Sequence, residues 1–362
     1  MNQTLAREIF ALCSVPSISG FESRGTKELL RLYEGRFDRI ESDAVGNHFL
    51  WKNCGRDGAP RILVDAHFDE IGMLVREILE GGFVRLVSIG GLSPSVLQAA
   101  DVILYGKEIL RGVIVSTPPH LRSASDDRLP DCEELLVDTG VPKDELEAIL
   151  PIGSPVGFAP DYRELLSGRL AGKSGRLAGK SLDNKACAAI AAFAIANLSQ
   201  ESLAGDVVLM LSSFEETSRL GGASAGAFGL RPDYAMVIDV NLATVPDVPK
   251  SETVPLGGGI SFSVSAATDR ALTLASQRLC EEREIAHTMI AAPSSTGTNA
   301  TAVQLVGGGI PTVDVGLPLR NMHTYNEVID LADAEALASF VEAFVCNGEI
   351  AKKFCNREEL PR

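Results

Sequence analysis

The chain has 362 residues, a formal net charge of −15, 45% hydrophobic residues and 22% charged ones. That balance belongs to a folded globular protein of two or three domains and excludes a disordered chain. So large an excess of acid argues against a nucleic-acid partner, because phosphate contacts need Lys and Arg, but it does not make the substrate basic.

In chain order, Met1 to Phe10 carries Arg7 and Glu8 and lacks the basic start and apolar run of a signal peptide. Leu5, Ile9 and Leu12 share one helical face, and a second helix follows Gly20-Phe21-Glu22 with Leu29, Leu30 and Leu32. Strand patterns come next at 38–43, 48–51 and 61–66, the last a short apolar run typical of a buried strand. From about Met73 to about Tyr162, short β-like pieces (73–78, 83–89, 101–105, 111–114) alternate with Gly and Pro turns, as in a small all-β module. After Asp183 the pattern returns to helix and strand in turn: 186–198, then 206–214, then 234–240. Such alternation predicts a mixed, mainly parallel sheet flanked by helices. The chain therefore divides into a first α/β part over 1–72, an inserted β domain over 73–165, and a second α/β part over 166–362.

The longest apolar stretch, Ala186 to Ala196, falls well short of the roughly 20 residues a membrane span needs, so no membrane partner is expected. The seven cysteines (13, 54, 132, 187, 280, 346, 355) form no CxxC pair. An odd number in a long chain without a leader points to free thiols and the cytoplasm. GRLAGKS occurs twice in tandem, at 168–174 and 175–181. The repeat suggests a small duplication or a lengthened hairpin at the domain junction. It is not a phosphate loop, because only three residues separate Gly from Gly-Lys where four are needed. The triple-glycine runs at 257–259 and 307–309 read as turns.

Of the five histidines (48, 67, 120, 287, 323), two have unusual neighbours. His67 and Asp69 lie two apart where the buried strand 61–66 ends, so on extended backbone they share a side. A His-x-Asp there can supply a metal ligand and the carboxylate that orients it, although a solvated acid at a strand end looks the same. Asp183 precedes the Ala-rich helix, where Asp is also an ordinary N-cap. Glu215 and Glu216 follow another apolar strand. As neighbours they point in different directions, so one can bind a metal while the other reaches a water; the alternative is a solvated acidic loop paired with Arg219. Asp239 ends the strand from Ala235, and His323 follows the strand 312–315. Three apolar strands that each end in His, Asp or Glu are hard to ascribe to coincidence. The set His67, Asp183, Glu216, Asp239 and His323 suits two divalent metals, each with one imidazole, one terminal carboxylate and half of a bridging carboxylate. Zn²⁺ fits this mix first, with Co²⁺ or Mn²⁺ as substitutes. Three carboxylates against two dications leave room for a bridging hydroxide, the nucleophile of a two-metal hydrolase.

These residues sit in motifs that resemble the M42 metallo-aminopeptidases, a family spanning glutamyl aminopeptidases, tetrahedral aminopeptidases and proteins once labelled cellulase M. The motifs are Pro-Ser-Ile-Ser-Gly-Phe-Glu (16–22), Ala-His-Phe-Asp-Glu-Ile-Gly (66–72), Gly-Lys-Ser-Leu-Asp-Asn-Lys (179–185), Phe-Glu-Glu (214–216), Ile-Asp-Val (238–240), Thr-Gly-Thr-Asn-Ala (296–300) and Arg-Asn-Met-His-Thr (320–324). The stretch 112–121, which holds His120, resembles the family's inserted domain. The resemblance covers nearly the whole chain. It implies a zinc-exopeptidase-like fold with a small barrel-like insert, and removal of N-terminal residues from peptides. It places His67 and Asp239 on one metal, Glu216 and His323 on the other, and Asp183 between them. Glu215 becomes the general base, Asp69 orients His67, and the Asp183–Asn184 peptide bond is cis. The insert would mediate a dimer, and dimers a hollow dodecamer. Phe214, Asn299, Asn321 and Thr324 depart from the family's usual residues, which leaves the metal ligands intact and bears on the substrate pocket. Three other readings stay open: a two-metal deacylase or carboxypeptidase acting on N-acyl amino acids, a glucanase, and a non-catalytic assembly protein. The glucanase is disfavoured because adjacent Glu215 and Glu216 cannot flank a sugar bond from opposite sides.

Overall fold

A computed structural model of the chain describes residues 2–115, 130–165, 175–217 and 220–355. Its strands in order are β1 (Arg39–Ser42), β2 (His48–Lys52), β3 (Arg61–His67), β4 (Gly72–Ile78), β5 (Val84–Ile89), β6 (Asp101–Tyr105), β7 (Ile109–Ile114), β8 (Leu136–Asp138) and β9 (Pro155–Phe158). Then come β10 (Arg163–Leu165), β11 (Arg176–Gly179), β12 (Asp206–Ser212), β13 (Tyr234–Leu242), β14 (Ile260–Ser265), β15 (His287–Ala292), β16 (Thr312–Leu319) and β17 (Glu327–Asp330).

The main sheet has eight strands in the order β1-β2-β12-β3-β13-β16-β14-β15. Its centre is parallel throughout, β12 on β3, β3 on β13 and β13 on β16, while β2 on β12 and β14 on β16 run antiparallel. The apolar runs are continuous because both faces are covered. Ile62, Val64 and Ala66 of β3 pack into the larger core with the helices Asn2–Cys13, Leu182–Ala196 and Leu331–Val345. Leu63 turns to the other face with Met210, Ala223, Ala227 and Val303. The Ala-rich helix is apolar all round and accordingly buried nearly all round, with Ala186 to Ala192 wholly enclosed.

Between β3 and β11 in the chain lies a closed six-stranded barrel, in the order β4-β5-β8-β7-β6-β9. Every pairing in it is antiparallel, and Met73, Val75, Leu86, Val102, Leu104, Val137 and Val156 form a core of its own. β10, β11 and β17 make a separate three-stranded sheet, so the second GRLAGKS copy supplies a central strand. The first copy at 168–174, His120 and Arg219 lie outside the described residues. All seven cysteines are free thiols. Among the described residues no helix is long and apolar enough to cross a membrane.

The helix that begins near Asp183 is not capped by it. Ser181 stands at the N-cap with a left-handed φ of 55°, and Asp183 has a non-helical ψ of 109°. Asp239 is not at a strand end either, because β13 continues to Leu242 through its ladder with β16. The Asp183–Asn184 peptide bond is cis, as the resemblance implies.

Candidate metal centre

The parallel strands β3, β12, β13 and β16 deliver their C-terminal ends to one edge of the sheet, the usual position for a site in an open α/β sheet. His67 closes β3 and is buried. Its Nδ1 lies 3.1 Å from the backbone carbonyl of Asp69, so a proton held there leaves the Nε2 lone pair facing outward. Nε2 meets Asp183 Oδ1 at 3.2 Å, Asp239 Oδ1 at 3.7 Å and Glu215 Oε2 at 3.9 Å. His323 follows β16 and carries a left-handed φ of 61°. Its Nδ1 lies 3.1 Å from the carbonyl oxygen of Gly91, on the segment after β5 of the barrel, and its Nε2 meets Glu216 Oε2 at 3.4 Å and Asp183 Oδ2 at 3.6 Å. The contacts thus form two groups, one around each imidazole, that share Asp183. One ligand atom each from His67, Asp183 and Glu216 falls within 4.8 Å of the others.

Asp69 holds the ring of His67 mainly through its backbone oxygen, its Oδ1 being 3.5 Å from Nδ1. Its two carboxylate oxygens accept the N–H groups of Glu215 at 3.2 Å and Glu216 at 3.0 Å. Glu22 accepts the N–H of Phe214 just upstream, where φ is 60°. Three successive amides before and within the Glu-Glu pair are therefore pinned by two buried carboxylates. The sequence reading missed Glu22 as a support, although it lies within the quoted 16–22 motif, and missed Glu327, which accepts backbone N–H groups from both Asp183 and His323.

Burial pushes the Glu215 carboxyl up to about 7, with Asp69 and Asp183 adding to the effect and His67 opposing it. Glu216 and Asp239 stand well above the carboxylate range for the same first reason. Burial would lower His67, but Asp183, Asp69, Asp239 and Glu215 overcome it and hold the imidazole well above 6.5. The cleft encloses about 610 Å³, and no Lys or Arg is among the described residues that line it. Two imidazoles and three carboxylates, all buried but the partly exposed His323 and with no described Lys or Arg beside them, are a donor set that fits divalent cations.

None of the four departures from the family pattern, Phe214, Asn299, Asn321 and Thr324, is among the residues that line the cleft. Gly297, Thr298 and Met322 line it, together with Leu220, Val240 and Leu242. Asn299 is buried, and its Nδ2 donates to Asp65 Oδ2 and Ser212 Oγ, both at 3.0 Å.

The sequence model of the M42 glutamyl aminopeptidase family matches residues 46–340. The lysyl aminopeptidase of Pyrococcus furiosus is 29% identical, covering 91% of this chain and 93% of its own. Among solved structures, an aminopeptidase from the archaeon Desulfurococcus kamchatkensis superposes with a TM-score of 0.87 at 26% identity, over 99% of both chains. A TET peptidase of Pyrococcus horikoshii, which can assemble into a tetrahedron or a large octahedral shell, gives 0.80 at 28% identity over 94% of this chain and 99% of its own.

Proposed function

This chain belongs to the M42 glutamyl aminopeptidase family, and on that premise we propose that it removes N-terminal residues from peptides with two divalent ions. The observation that carries the reading is Asp183, whose two oxygens face two different imidazoles, Oδ1 toward His67 and Oδ2 toward His323. His67 and Asp239 would hold one ion, Glu216 and His323 the other, and Asp183 both. When bound, the ions would polarise the scissile carbonyl and make the attacking water more acidic. Zn²⁺ suits the donors best, and Co²⁺ or Mn²⁺ are the natural substitutes.

Glu215 is the residue left to move protons. It lines the cleft beside the ligand set, and its backbone is fixed by Asp69. It would take the proton of the attacking water and hand it to the leaving amine. Asp69 orients His67 and, through the amides of Glu215 and Glu216, sets where base and ligand stand. The cationic α-amine of a free N-terminus suits a cleft whose described lining includes Asp183, Glu215, Glu216 and Asp239 and no Lys or Arg.

Self-association is part of the reading. Ile109, Val113 and Ile152 are 70%, 45% and 63% exposed, an apolar surface on and beside the barrel that a second copy would cover. We infer at least a dimer through the barrel, with a dodecamer as the larger assembly. The seven free thiols accord with a reducing compartment, hence the cytoplasm.

The test is a panel of amino-acid anilides and N-acetyl amino acids, assayed after chelator stripping and again with Zn²⁺, Co²⁺ or Mn²⁺, alongside metal analysis and light scattering. Metal-dependent cleavage of the anilides, two ions per chain and a mass of at least a dimer are expected. Preference for the N-acetyl compounds would turn the reading to a deacylase. Turnover that survives complete stripping would end the two-ion account.

A further inference from the structure

Glu327 opens β17 and is 1% exposed, yet it holds no place in the ligand set. Both of its oxygens are committed to backbone. Oε2 accepts the N–H of Asp183 at 2.9 Å, and Oε1 accepts the N–H of His323 at 3.1 Å. These two amides come from distant parts of the chain, one from the start of the Leu182–Ala196 helix and the other from the loop between β16 and β17. Neither segment is in regular geometry, since Ser181 and His323 both have left-handed φ and Asp183 has a non-helical ψ. Local helix or strand bonds therefore do not fix where Asp183 and His323 stand.

The carboxylate itself stands on a firm base. Glu327 pairs with Gly179 of β11, and Val328 exchanges two backbone hydrogen bonds with Arg320, each 3.0 Å long. A planar group with a fixed distance between its oxygens, clamped at its own backbone, sets the separation of the two amides it receives.

We propose that Glu327 is a positioning residue that holds Asp183 and His323 at the spacing one ion needs, and that it governs the affinity of that ion. The proposal rests on the two-ion reading above. It predicts an asymmetry. The ion at Glu216 and His323 draws two of its three protein ligands from residues that Glu327 holds, whereas the ion at His67 and Asp239 draws one.

The test is titration of chelator-stripped protein with Zn²⁺, following heat release, for the wild type, Glu327→Gln and Glu327→Asp, with thermal unfolding of each stripped protein as the control for folding. An amide at 327 can accept one of the two N–H groups but turns its own NH₂ toward the other. Glu327→Gln should therefore weaken one of the two ions by roughly 10- to 100-fold and leave the other within a few-fold. Glu327→Asp, which keeps both acceptors, should recover part of the loss. Two ions bound by Glu327→Gln as tightly as by the wild type would overturn the proposal. Failure of both variants to fold would also overturn it, because Glu327 would then be needed for the fold and not for the site. A wild type that binds fewer than two ions would fail the parent reading first, and this one with it.

Discussion

Asp69 and Glu70 are neighbours in the chain, but they serve two buried charge clusters of opposite design. Glu70 lies among Lys180, Lys185 and the hydroxyl of Ser181, with the N–H of Ser17 on its other oxygen. Burial would raise its carboxyl, but the two ammonium groups overcome this and bring it down to about 2. On the Asp69 side, burial drives Glu215, Glu216 and Asp239 upward against His67 and, at Asp239, the N–H of Val240. One cluster carries its counter-charge in the sequence. The other has no Lys beside it among the described residues, and under the two-ion proposal it would take its counter-charge from bound cations. Two buried acid clusters therefore differ less in their acids than in whether Lys is built in beside them.

The largest effects should come from the metal side. Asp183→Ala should lose both ions and all turnover. Glu215→Gln should lower turnover by roughly 10²- to 10⁴-fold while keeping both ions, the usual worth of a general base. Anilide assays and metal analysis on the same samples check both, and near-normal turnover in Glu215→Gln would remove it from the base role.

Glu70→Gln should produce the reverse pattern. It strands two buried ammonium groups, so the expected cost is about 3–5 kcal/mol in urea unfolding, with the number of bound ions unchanged. A variant that lost metal but not stability would show that the two clusters are one.

Acidity separates the clusters by sign. The Glu70 carboxyl is lowered in the fold, so its contribution, about 3 kcal/mol, is complete above 4.5 and lost as pH falls toward 2. Glu215 is raised, so the stripped protein binds more protons folded than unfolded, and its stability should fall as pH rises from about 4.5 to about 7. Glu22 and Asp333, also pushed up to about 7, share that sign but lie outside the ligand set. The part that Zn²⁺ reverses at pH 7.5 therefore belongs to the site. Urea unfolding across pH, with and without Zn²⁺, reads both trends, and a stripped protein whose stability is level between pH 5 and 7 would contradict the second.

Much of this was legible in the sequence because it is written locally. The apolar runs of β3, β12, β13 and β16 give the sheet, and the turn-rich stretch after Met73 gives the barrel. The Asp-Ala-His-Phe-Asp-Glu run shows His67 at the end of its strand. Asp239 was misjudged as a strand end because the ladder to β16 carries β13 on to Leu242, and pairing of that kind is invisible in one segment. Glu327 was missed because one of its two partners, Asp183, lies 144 positions away, and Gly91 because His323 lies 232 positions away. Asn299 suggested a change in the pocket, yet its amide is spent on Asp65 and Ser212 beneath it. Residue type and spacing reveal what can bind a metal, but not what holds the binders still.

Gly91 has a mechanical consequence. A Cβ there would stand 2.7 Å from Nδ1 of His323, so the bare backbone is what lets the barrel side approach the ring that its carbonyl holds. The barrel side and the loop after β16 thus meet on an imidazole. A tilt of the barrel of an ångström or so would stretch that hydrogen bond past its useful range and free the ring to rotate. A second copy gripping the barrel, as the proposed dimer would, would therefore also steady the ring of His323.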